Sequence, residues 1–384
     1  MTRLTDPWVT TPATQAVCAA ISAQGAQALF VGGCVRNALL GLPVADIDIA
    51  TDAEPQTVIA LAKAAGIKAV PTGIEHGTVT LVKDRVAHEV TTFRRDVSTD
   101  GRRAVVAFSR RLDEDAARRD FTMNALYARP DGTVLDPLGG LPDLRAGRVR
   151  FIGTASDRIH EDYLRSLRYF RFHAWYGDPA SGFDPEALSA IAANLDGLQQ
   201  LSHERVGAEM LKLLAASDPA PAVAAMRSSG VLGRVLPGAD DRVLAPLVHL
   251  EHGVSASPDG LRRLAALGGE NPGEALRLSR AQAQRLAQMR EAATGLMPAA
   301  ELGYRLGAEP ARDAMLLRAA LLEQPWDAKT LPAIENGAAA IFPVKARDLM
   351  PAYRGAALGA QLARLEARWV ASDFSLDRDA LLSS

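Results

Sequence analysis

The chain has 384 residues, 48% hydrophobic and 23% charged, which is typical of a soluble globular protein with room for two or three domains. The formal net charge is −2, so any polyanion must be bound by local arginine clusters rather than by an overall basic surface. No apolar run could span a bilayer and no signal peptide is recognisable, so we expect a cytoplasmic protein. Two cysteines, Cys18 and Cys34, exclude a disulfide framework and a cysteine-built zinc site.

The first predicted elements lead to a pair of glycines. Residues 12–28 predict an amphipathic helix that packs against a first strand over residues 28–31. Gly32 and Gly33 then allow the backbone to turn sharply and to approach a ligand closely. The short helix that follows offers free N–H groups to an anion, and Arg36, about one turn further on, can reach the same anion.

Two aspartates mark the second predicted strand. Because side chains alternate between the faces of a strand, Asp46 and Asp48 lie on one side and Ile47 and Ile49 on the other. Neighbouring carboxylates repel each other, so their pairing on a rigid strand predicts a bound cation. Mg²⁺ is the natural candidate because it prefers oxygen ligands and keeps positions free for substrate phosphates.

A helix and a hairpin follow the aspartate strand. Residues 55–65 predict the helix, and residues 77–82 and 86–93 predict two strands joined by a turn at 83–85. Glu89 faces away from His88 and Val90, so it could bring a third carboxylate towards the cation. An exposed strand glutamate without such a role is the alternative.

The next stretch is rich in arginine and then in acids. Residues 94–111, with Asp100, Gly101 and Arg102 near the middle, predict a long mobile loop. Residues 112–128 predict a helix whose acidic residues lie at its N-terminal end. Residues 134–149 are rich in turn formers, and residues 149–152 predict a last short strand.

A helix over residues 157–175 carries the second informative pattern. Asp162, Arg165, Arg168 and Arg171 recur every three residues beside an apolar stripe. Ion pairs on a solvated helix are the alternative, but three arginines against one aspartate leave a positive excess that predicts an anionic ligand. Beyond Gly177 the chain is predicted to be almost wholly helical, as in a platform that positions a large substrate.

Taken together, these motifs resemble those of the class II tRNA nucleotidyltransferase and poly(A) polymerase family of the polymerase-β-like superfamily. The resemblance covers residues 29–237 well and the remainder only in its helical character. Its pieces, in chain order, are GGCVRNALLG, DIDIAT, EVTTFR, DGR, RRDFTMNALY, DPLGGLPDL, EDYLRSLRYFRF and LSHERVGAEMLKLL. One position departs from the family, which commonly has Asp where this chain has Asn37.

The resemblance implies an α+β fold, in which a polymerase-β-like nucleotidyltransferase head with a mixed sheet and helices precedes an all-α C-terminal half. We expect residues 1–152 to form the head and residues 153–238 a helical neck that recognises the nucleotide base. Residues 239–384 would form a helical body and tail that binds tRNA.

The resemblance also implies roles for individual residues. Asp46 and Asp48 would bind two Mg²⁺ ions, and Glu89 would help to ready the incoming 3′-hydroxyl group. Asp162 and Arg165 resemble the family's protein template for the base, while Arg168 and Arg171 would steady the triphosphate. The predicted nucleotide-binding residues are Gly32, Gly33, Arg36, Arg119, Asn124, Asp162, Arg165, Arg168 and Arg171.

The template role has a direct chemical interpretation. Cytosine and adenine both present an amino donor beside a ring-nitrogen acceptor, so a carboxylate next to a guanidinium suits either base. Guanine and uracil present the reverse order and would leave polar groups unpaired. We expect Asp162 and Arg165 to lie one turn apart on one helix face.

The leading hypothesis is addition of CCA to the 3′ end of tRNA from CTP and ATP, with no membrane and no obligate protein partner. A poly(A) polymerase shares the catalytic motifs, and an enzyme that adds only CC or only A is a third possibility. The loop around Asp100, Gly101 and Arg102 resembles the one needed for the switch from C to A, which argues against a CC-only enzyme. A non-catalytic RNA-binding protein is an alternative of another class, but it would be expected to have lost the carboxylates.

Overall fold

The computed structural model describes residues 2–99 and 104–383, and for residues 96–99 and 104–106 it describes the backbone alone. The predicted loop residues Asp100, Gly101 and Arg102 therefore lie outside the described residues. The chain divides into two compact units, Met1–Pro237 and Gly238–Ser384.

The first unit is built on a mixed sheet. Its strands in the described residues are β1 Leu29–Val31, β2 Ile47–Thr51, β3 Lys68–Gly73, β4 Thr78–Lys83, β5 Val86–Thr92, β6 Arg94–Thr99, β7 Ala104–Phe108, β8 Tyr127–Ala128 and β9 Val134–Leu135. Seven of them form one sheet in the order β3-β4-β5-β2-β1-β8-β9, while β6 and β7 pair separately. Strands β2 and β5 are parallel, and the other neighbours in the sheet are antiparallel.

Helices surround this sheet and complete the first unit. They are α1 Pro7–Thr10, α2 Pro12–Ser22, α3 Gly33–Leu39, α4 Pro55–Ala64, α5 Leu112–Ala117, α6 Gly140–Arg145, α7 Ala155–Glu161, α8 Leu164–Tyr176, α9 Pro185–Ala193, α10 His203–Leu214, α11 Ala220–Ser228 and α12 Val231–Val235. Short 3₁₀ turns occur at Ile74–His76, Thr122–Asn124 and Leu195–Gln200.

The two faces of the sheet have different roles. Helices α2 and α4 pack against β4 and β5, where apolar residues such as Ile49 and Val90 are fully buried. The opposite face carries a core cluster that includes Leu29, Ala50 and Tyr127. Because Asp48 is two residues from Ala50 on β2, it lies on this second face.

The second unit is helical in the residues described, apart from one isolated bridge between Ala239 and Gly268. Its helices are α13 Leu244–Gly253, α14 Gly260–Leu267, α15 Pro272–Ala275, α16 Arg280–Thr294, α17 Ala299–Leu306, α18 Ala308–Leu321, α19 Thr330–Ala339, α20 Gly355–Ala371 and α21 Arg378–Leu382, with a 3₁₀ turn at Ala346–Leu349. Helices α17 and α19 pack unusually closely, because a Cβ atom at Gly337 would lie 1.8 Å from the Ala300 carbonyl oxygen. None of the described helices combines the length and apolarity needed to cross a lipid bilayer.

The predicted head architecture and helical C-terminal half are confirmed, but several element boundaries are wrong. The loop predicted over residues 94–111 contains β6 and β7. The helix predicted over residues 112–128 ends at Ala117 because the buried residues after it pair with other strands, as at β8 beside β1. The predicted strand over residues 149–152 is only a bridge between Phe121 and Phe151, whereas β3, β9 and α6 were not predicted.

The helix predicted over residues 157–175 is interrupted. Asp162 has an extended backbone with φ −155°, and its Oδ1 accepts a hydrogen bond from the Leu164 backbone N at 3.1 Å. Short polar side chains compete with helix bonding in this way and favour a new start. The chain therefore forms α7 and α8 instead of one helix.

Candidate active site

The glycine turn is shaped by a backbone conformation that favours glycine. Gly32 has φ +68°, and its N–H donates to the Leu126 carbonyl at 3.1 Å. A Cβ atom there would lie 3.4 Å from the Arg119 Nη1 atom. The turn thus brings α3, which begins at Gly33, close to Arg119.

Three carboxylates lie on one face of the parallel strand pair. Asp48 and Glu89 are direct partners across β2 and β5, and Asp46 precedes β2 on the same side. Asp48 is half-buried, while Asp46 and Glu89 are exposed. Sequence reasoning placed these residues correctly because strand alternation determines which face a side chain occupies.

The electrostatics of this group are unfavourable without a counter-charge. Burial is the main cause that raises the pKa of Asp48 to about 6; the charges of Glu89 and Asp46 contribute to this increase, and Arg119 opposes it. The three carboxylates form no ion pair or hydrogen bond with any other described side chain. At Asp48, repulsion from the other two carboxylates therefore adds to the cost of burial.

This donor set fits a divalent cation. Carboxylate oxygens are the preferred ligands of hard divalent ions, and a bound cation would remove the repulsion at Asp48. Across residues 2–99 and 104–383, no three acidic, histidine or cysteine side chains already converge as a closed metal site. Asp46 and Asp48 are the residues that could hold such an ion, with other positions left to a substrate.

A cleft of about 200 Å³ adjoins the carboxylates. It is lined by Gly33, Cys34, Arg36, Asn37, Pro43, Val44, Ala45, Asp46 and Asp48. Carboxylates and a guanidinium thus face one space, which is what a metal-bound phosphate ester requires.

Arg36 is a buried cation with neutral partners. Its Nη1 donates to Asn124 Oδ1 at 2.6 Å, and its Nη2 donates to Asn37 Oδ1 at 2.9 Å and to the Tyr176 hydroxyl at 2.8 Å. Burial lowers the pKa of Arg36, and the charges of Arg171 and Arg168 act in the same direction, whereas Tyr176 and Asp120 oppose this decrease. Among the described residues it has no carboxylate partner.

Arg119 links the cleft to a buried acid. Its Nη2 lies 2.9 Å from Asp115 Oδ2, and its Nε donates to the Tyr127 hydroxyl at 3.0 Å. Asp115 is 1% exposed and also accepts from the backbone N of Arg94 at 3.2 Å. Asp115 and Tyr127 therefore fix the position of Arg119, while its charge still acts on Asp48.

The structure corrects the prediction of an excess of positive charge on the helix after residue 157. Arg168 Nη2 lies 2.5 Å from Asp120 Oδ2, Arg171 Nε lies 2.5 Å from Glu209 Oε2, and Arg165 pairs with Glu161. The expected excess is wrong because Asp120 and Glu209 come from other parts of the chain.

The predicted geometry of the base-reading pair is also wrong. Asp162 lies in the break between α7 and α8, whereas Arg165 lies in the first turn of α8, so the two do not share one helix face. Asp162 Oδ2 accepts a hydrogen bond from Arg205 Nη2 at 2.7 Å.

Four residues of this region were not predicted: Asp115, Tyr176, Arg205 and Glu209. Each acts on a predicted residue through a contact between distant parts of the sequence or between adjacent turns of a helix. Arg205 and Glu209 lie in the LSHERVGAEMLKLL motif and Asp115 lies four residues before Arg119, but the sequence alone does not show which residues they contact.

Comparisons with known proteins agree with this arrangement. The family model described as "Poly A polymerase head domain" matches residues 28–150, and the one described as "Probable RNA and SrmB- binding site of polymerase A" matches residues 182–242. The chain is 45% identical over 186 residues to the human mitochondrial CCA tRNA nucleotidyltransferase 1. This match covers 48% of this chain and 43% of that protein. It is also 45% identical over 200 residues to the CCA-adding enzyme of Lacticaseibacillus paracasei. This match covers 52% of this chain and 48% of that protein.

These two matches span less than half the length of each relative. A solved structure matches over more of the chain. The CCA-adding enzyme of Bacillus stearothermophilus in complex with CTP superposes with a TM-score of 0.72 at 28% identity, covering 95% of this chain and 94% of that one.

A mixed sheet bearing paired carboxylates beside a glycine turn, followed by a helical half, defines a nucleotidyltransferase fold of the polymerase-β-like type. Within that class, the chain resembles the class II CCA-adding enzymes and poly(A) polymerases over residues 28–150 and 182–242. Members of this family generally use a divalent metal.

Proposed function

We propose that this protein adds CCA to the 3′ end of tRNA, using CTP and ATP and releasing pyrophosphate. The observation that carries the proposal is the cleft where Asp46 and Asp48 have no ion-pair partner among the described residues and Arg36 has only neutral hydrogen-bond partners. A nucleoside triphosphate bound with a divalent cation would supply a positive charge to the carboxylates and a negative charge to Arg36. The names of the relatives support tRNA as the acceptor.

The reaction is an in-line displacement. The 3′-hydroxyl oxygen of the RNA forms a bond to the α-phosphorus, the bond from that phosphorus to the pyrophosphate oxygen breaks with its electron pair remaining on the pyrophosphate, and the hydroxyl proton passes to solvent. Glu89 lies across from Asp48 on β5 and would favour deprotonation of the hydroxyl. Arg36 and Arg119 hold the phosphates, so the protein contributes placement and charge without a covalent intermediate.

Mg²⁺ is the cation that we propose for Asp46 and Asp48. When bound, it lowers the pKa of the attacking hydroxyl group and offsets the charge of the leaving pyrophosphate. Mg²⁺ prefers oxygen ligands and keeps some coordination positions free for substrate phosphates, so it suits a pair of carboxylates beside a cleft.

Base choice is assigned to Asp162 and Arg165. A carboxylate acceptor and a guanidinium donor match the edges of cytosine and adenine, and neither guanine nor uracil satisfies both groups. Arg165 Nη1 donates to the Arg158 carbonyl at 3.1 Å, and its Nη2 donates to the Arg118 carbonyl at 3.1 Å. A base must therefore share or exchange these contacts. Arg168 and Arg171, each already paired with an acid, would steady the triphosphate.

The head, neck and body boundaries at residues 152 and 238 remain predictions, as does the cytoplasmic location. The observed division falls between residues 237 and 238, and residues 1–152 and 153–237 lie in one compact unit. Binding of tRNA by the helical residues 239–384 belongs to the same proposal.

The proposal is tested by incubating the purified protein with Mg²⁺, tRNA lacking CCA, and CTP, ATP or both. We expect two nucleotides to be added with CTP alone and the full CCA with both. Asp48→Asn should lower the rate by about a thousandfold or more, since it removes a ligand and a charge at the reacting centre.

Asp84→Asn is the matched control, because it removes the same charge from the exposed turn between β4 and β5. It should retain the parent rate. Growth of long homopolymers with ATP alone would instead identify a poly(A) polymerase, which the description of the head-domain model also allows. Equal rates for Asp48→Asn and the parent would refute the enzyme proposal.

A further inference from the structure

Three guanidinium groups surround one buried aromatic ring. The Phe172 side chain lies in α8 and is 2% exposed. The Cζ atoms of Arg171, Arg36 and Arg168 lie 4.5, 5.1 and 5.3 Å from its ring centroid. The ring faces of aromatic residues attract cations, so Phe172 partly offsets the repulsion among these arginines.

The three arginines differ in their charge balance. Arg168 is paired with Asp120 and Arg171 with Glu209, whereas Arg36 has no carboxylate partner among the described residues. Arg36 is also the one of the three that lines the cleft with Asp46 and Asp48. Its charge is therefore the one left available to a ligand.

Tyr176 makes two different contacts with this charge. The Arg36 Cζ atom lies 4.1 Å from the Tyr176 ring centroid, and Arg36 Nη2 donates to the Tyr176 hydroxyl at 2.8 Å. Tyr176 is the last residue of α8, the helix that also carries Arg165, while Arg36 belongs to α3 next to the carboxylates. This side chain thus connects the two helices at the cleft.

We propose that Tyr176 is a positioning residue that fixes Arg36 for the phosphate tail of the nucleotide; this inference rests on the proposed function. A guanidinium in the same cleft as two unpaired carboxylates is attracted to them. Because its hydrogen-bond partners are uncharged, they hold Arg36 without neutralising it. The guanidinium therefore stays apart from the carboxylates and available to an anion. A carboxylate in the place of Tyr176 would hold the arginine but neutralise it.

The proposal predicts a defined kinetic effect. Tyr176→Phe keeps the ring and removes the hydrogen bond, and it should raise the KM for nucleotide by about threefold to tenfold. Tyr176→Leu removes both contacts and should raise the KM by more than about tenfold. In both variants kcat should stay within about twofold of the parent, because the carboxylates that act on the reacting atoms are unchanged.

The KM for CTP and for ATP should rise by the same factor, since Arg36 is assigned to the phosphates and not to the base. Inorganic tripolyphosphate, which has no base, serves as the probe of this assignment. Its inhibition constant against CTP addition should increase by the same factor as the two KM values.

Trp175→Phe is the control variant. Trp175 is the neighbouring residue on α8, and its indole Nε1 donates to the Lys212 carbonyl at 2.7 Å rather than to Arg36. It should leave KM for both nucleotides unchanged. The thermal unfolding midpoint of every variant, measured without nucleotide, reports whether the fold is intact.

The outcomes separate the two proposals. If the parent protein does not extend tRNA, the proposed function fails, and the Tyr176 variants are not needed to show it. If the parent is active and folded Tyr176 variants keep the parental KM, the positioning role is refuted. A change for one nucleotide alone would also refute it, because that result would indicate a role in base recognition.

Discussion

At the scale of single residues, Asp120 connects α8 to the surroundings of Arg36, which lines the cleft. Its Oδ2 accepts hydrogen bonds from Arg168 Nε at 2.7 Å and Nη2 at 2.5 Å, and its Oδ1 accepts from Asn124 Nδ2 at 2.8 Å. Asn124 in turn holds Arg36. Although burial opposes ionisation, the charge of Arg168 and the hydrogen bonds outweigh it and lower the pKa of Asp120 to about 2.

This lowered pKa predicts a pH-dependent contribution to stability. A carboxylate whose pKa is lower in the folded than in the unfolded state stabilises the fold above its unfolded pKa, and this contribution is lost as the pH falls from about 4 towards 2. We expect Asp120→Asn to lower the free energy of unfolding by about 2 kcal/mol at pH 7, because Arg168, which is half-buried, loses its partner. At pH 3 the difference should be smaller by about 1 kcal/mol.

Urea titrations of the parent and Asp120→Asn at pH 7, 4 and 3 measure this effect. Asp84→Asn, at the exposed turn, should remain close to the parent at each pH. A difference between Asp120→Asn and the parent that is constant from pH 7 to pH 3 would contradict the assigned cause.

The break between α7 and α8 is the informative feature at the scale of elements. It places Asp162 outside a helix, with its Oδ2 held by Arg205 from α10 at 2.7 Å. Asp162 is therefore oriented by a contact between elements, and not by its spacing from Arg165. The proposed recognition of a base by this pair therefore depends on residues from three elements.

Loss of this contact should change nucleotide selection. We expect Asp162→Ala to lower the preference for CTP and ATP over UTP and GTP by about tenfold or more, because an acceptor for the amino group is lost. Arg205→Ala should lower it by about threefold, since Asp162 remains but is less restrained. Single-nucleotide addition to tRNA with each of the four triphosphates gives these ratios.

Arg234→Ala provides a comparison for Arg205→Ala. Arg234 Nη2 forms an ion pair of the same length, 2.7 Å, with Asp196, which is 90% exposed. Selection should be unchanged in this variant. If both arginine variants alter selection equally, the contact between Arg205 and Asp162 does not explain the effect.

At the scale of the whole molecule, the second unit has a buried charge cluster of its own. Arg262 and Arg263 are 2% and 0% exposed, and both pair with Glu251, which is 0% exposed. Arg262 also lies 2.6 Å from Asp313, so the cluster joins α13, α14 and α18. Because these charges cannot reach water, the cluster is costly to leave incomplete.

We predict that Glu251→Gln lowers the free energy of unfolding of this unit by about 3 kcal/mol or more, because two buried arginines lose their shared partner. Hydrogen exchange of the full chain should show the loss of protection in α13, α14 and α18. Asp240→Asn, which affects the exposed pair with Arg242, should have an effect below about 1 kcal/mol. Equal effects of the two substitutions would show that burial does not govern this cluster.

Local sequence rules predicted the parts of the site that depend on residues close together in the chain. Strand alternation placed Asp46, Asp48 and Glu89 on one face, and the glycine pair predicted the turn before α3. The prediction failed for residues 112–128 and 157–175, where acidic and apolar spacing suggested longer helices. Sheet pairing of β8 with β1 and the capping contact of Asp162 ended those helices instead.

The class of fold and the family resemblance were predictable from the sequence, because the order of short motifs and the alternation of side chains are properties of neighbouring residues. Three features of the site became visible only in the folded chain: which arginines have carboxylate partners, that Arg36 is held by the neutral Tyr176, and that Asp162 contacts Arg205. The reason is physical: the charge balance of a buried group depends on partners that lie up to 140 positions away in the chain, as Tyr176 does from Arg36, and only folding brings them together.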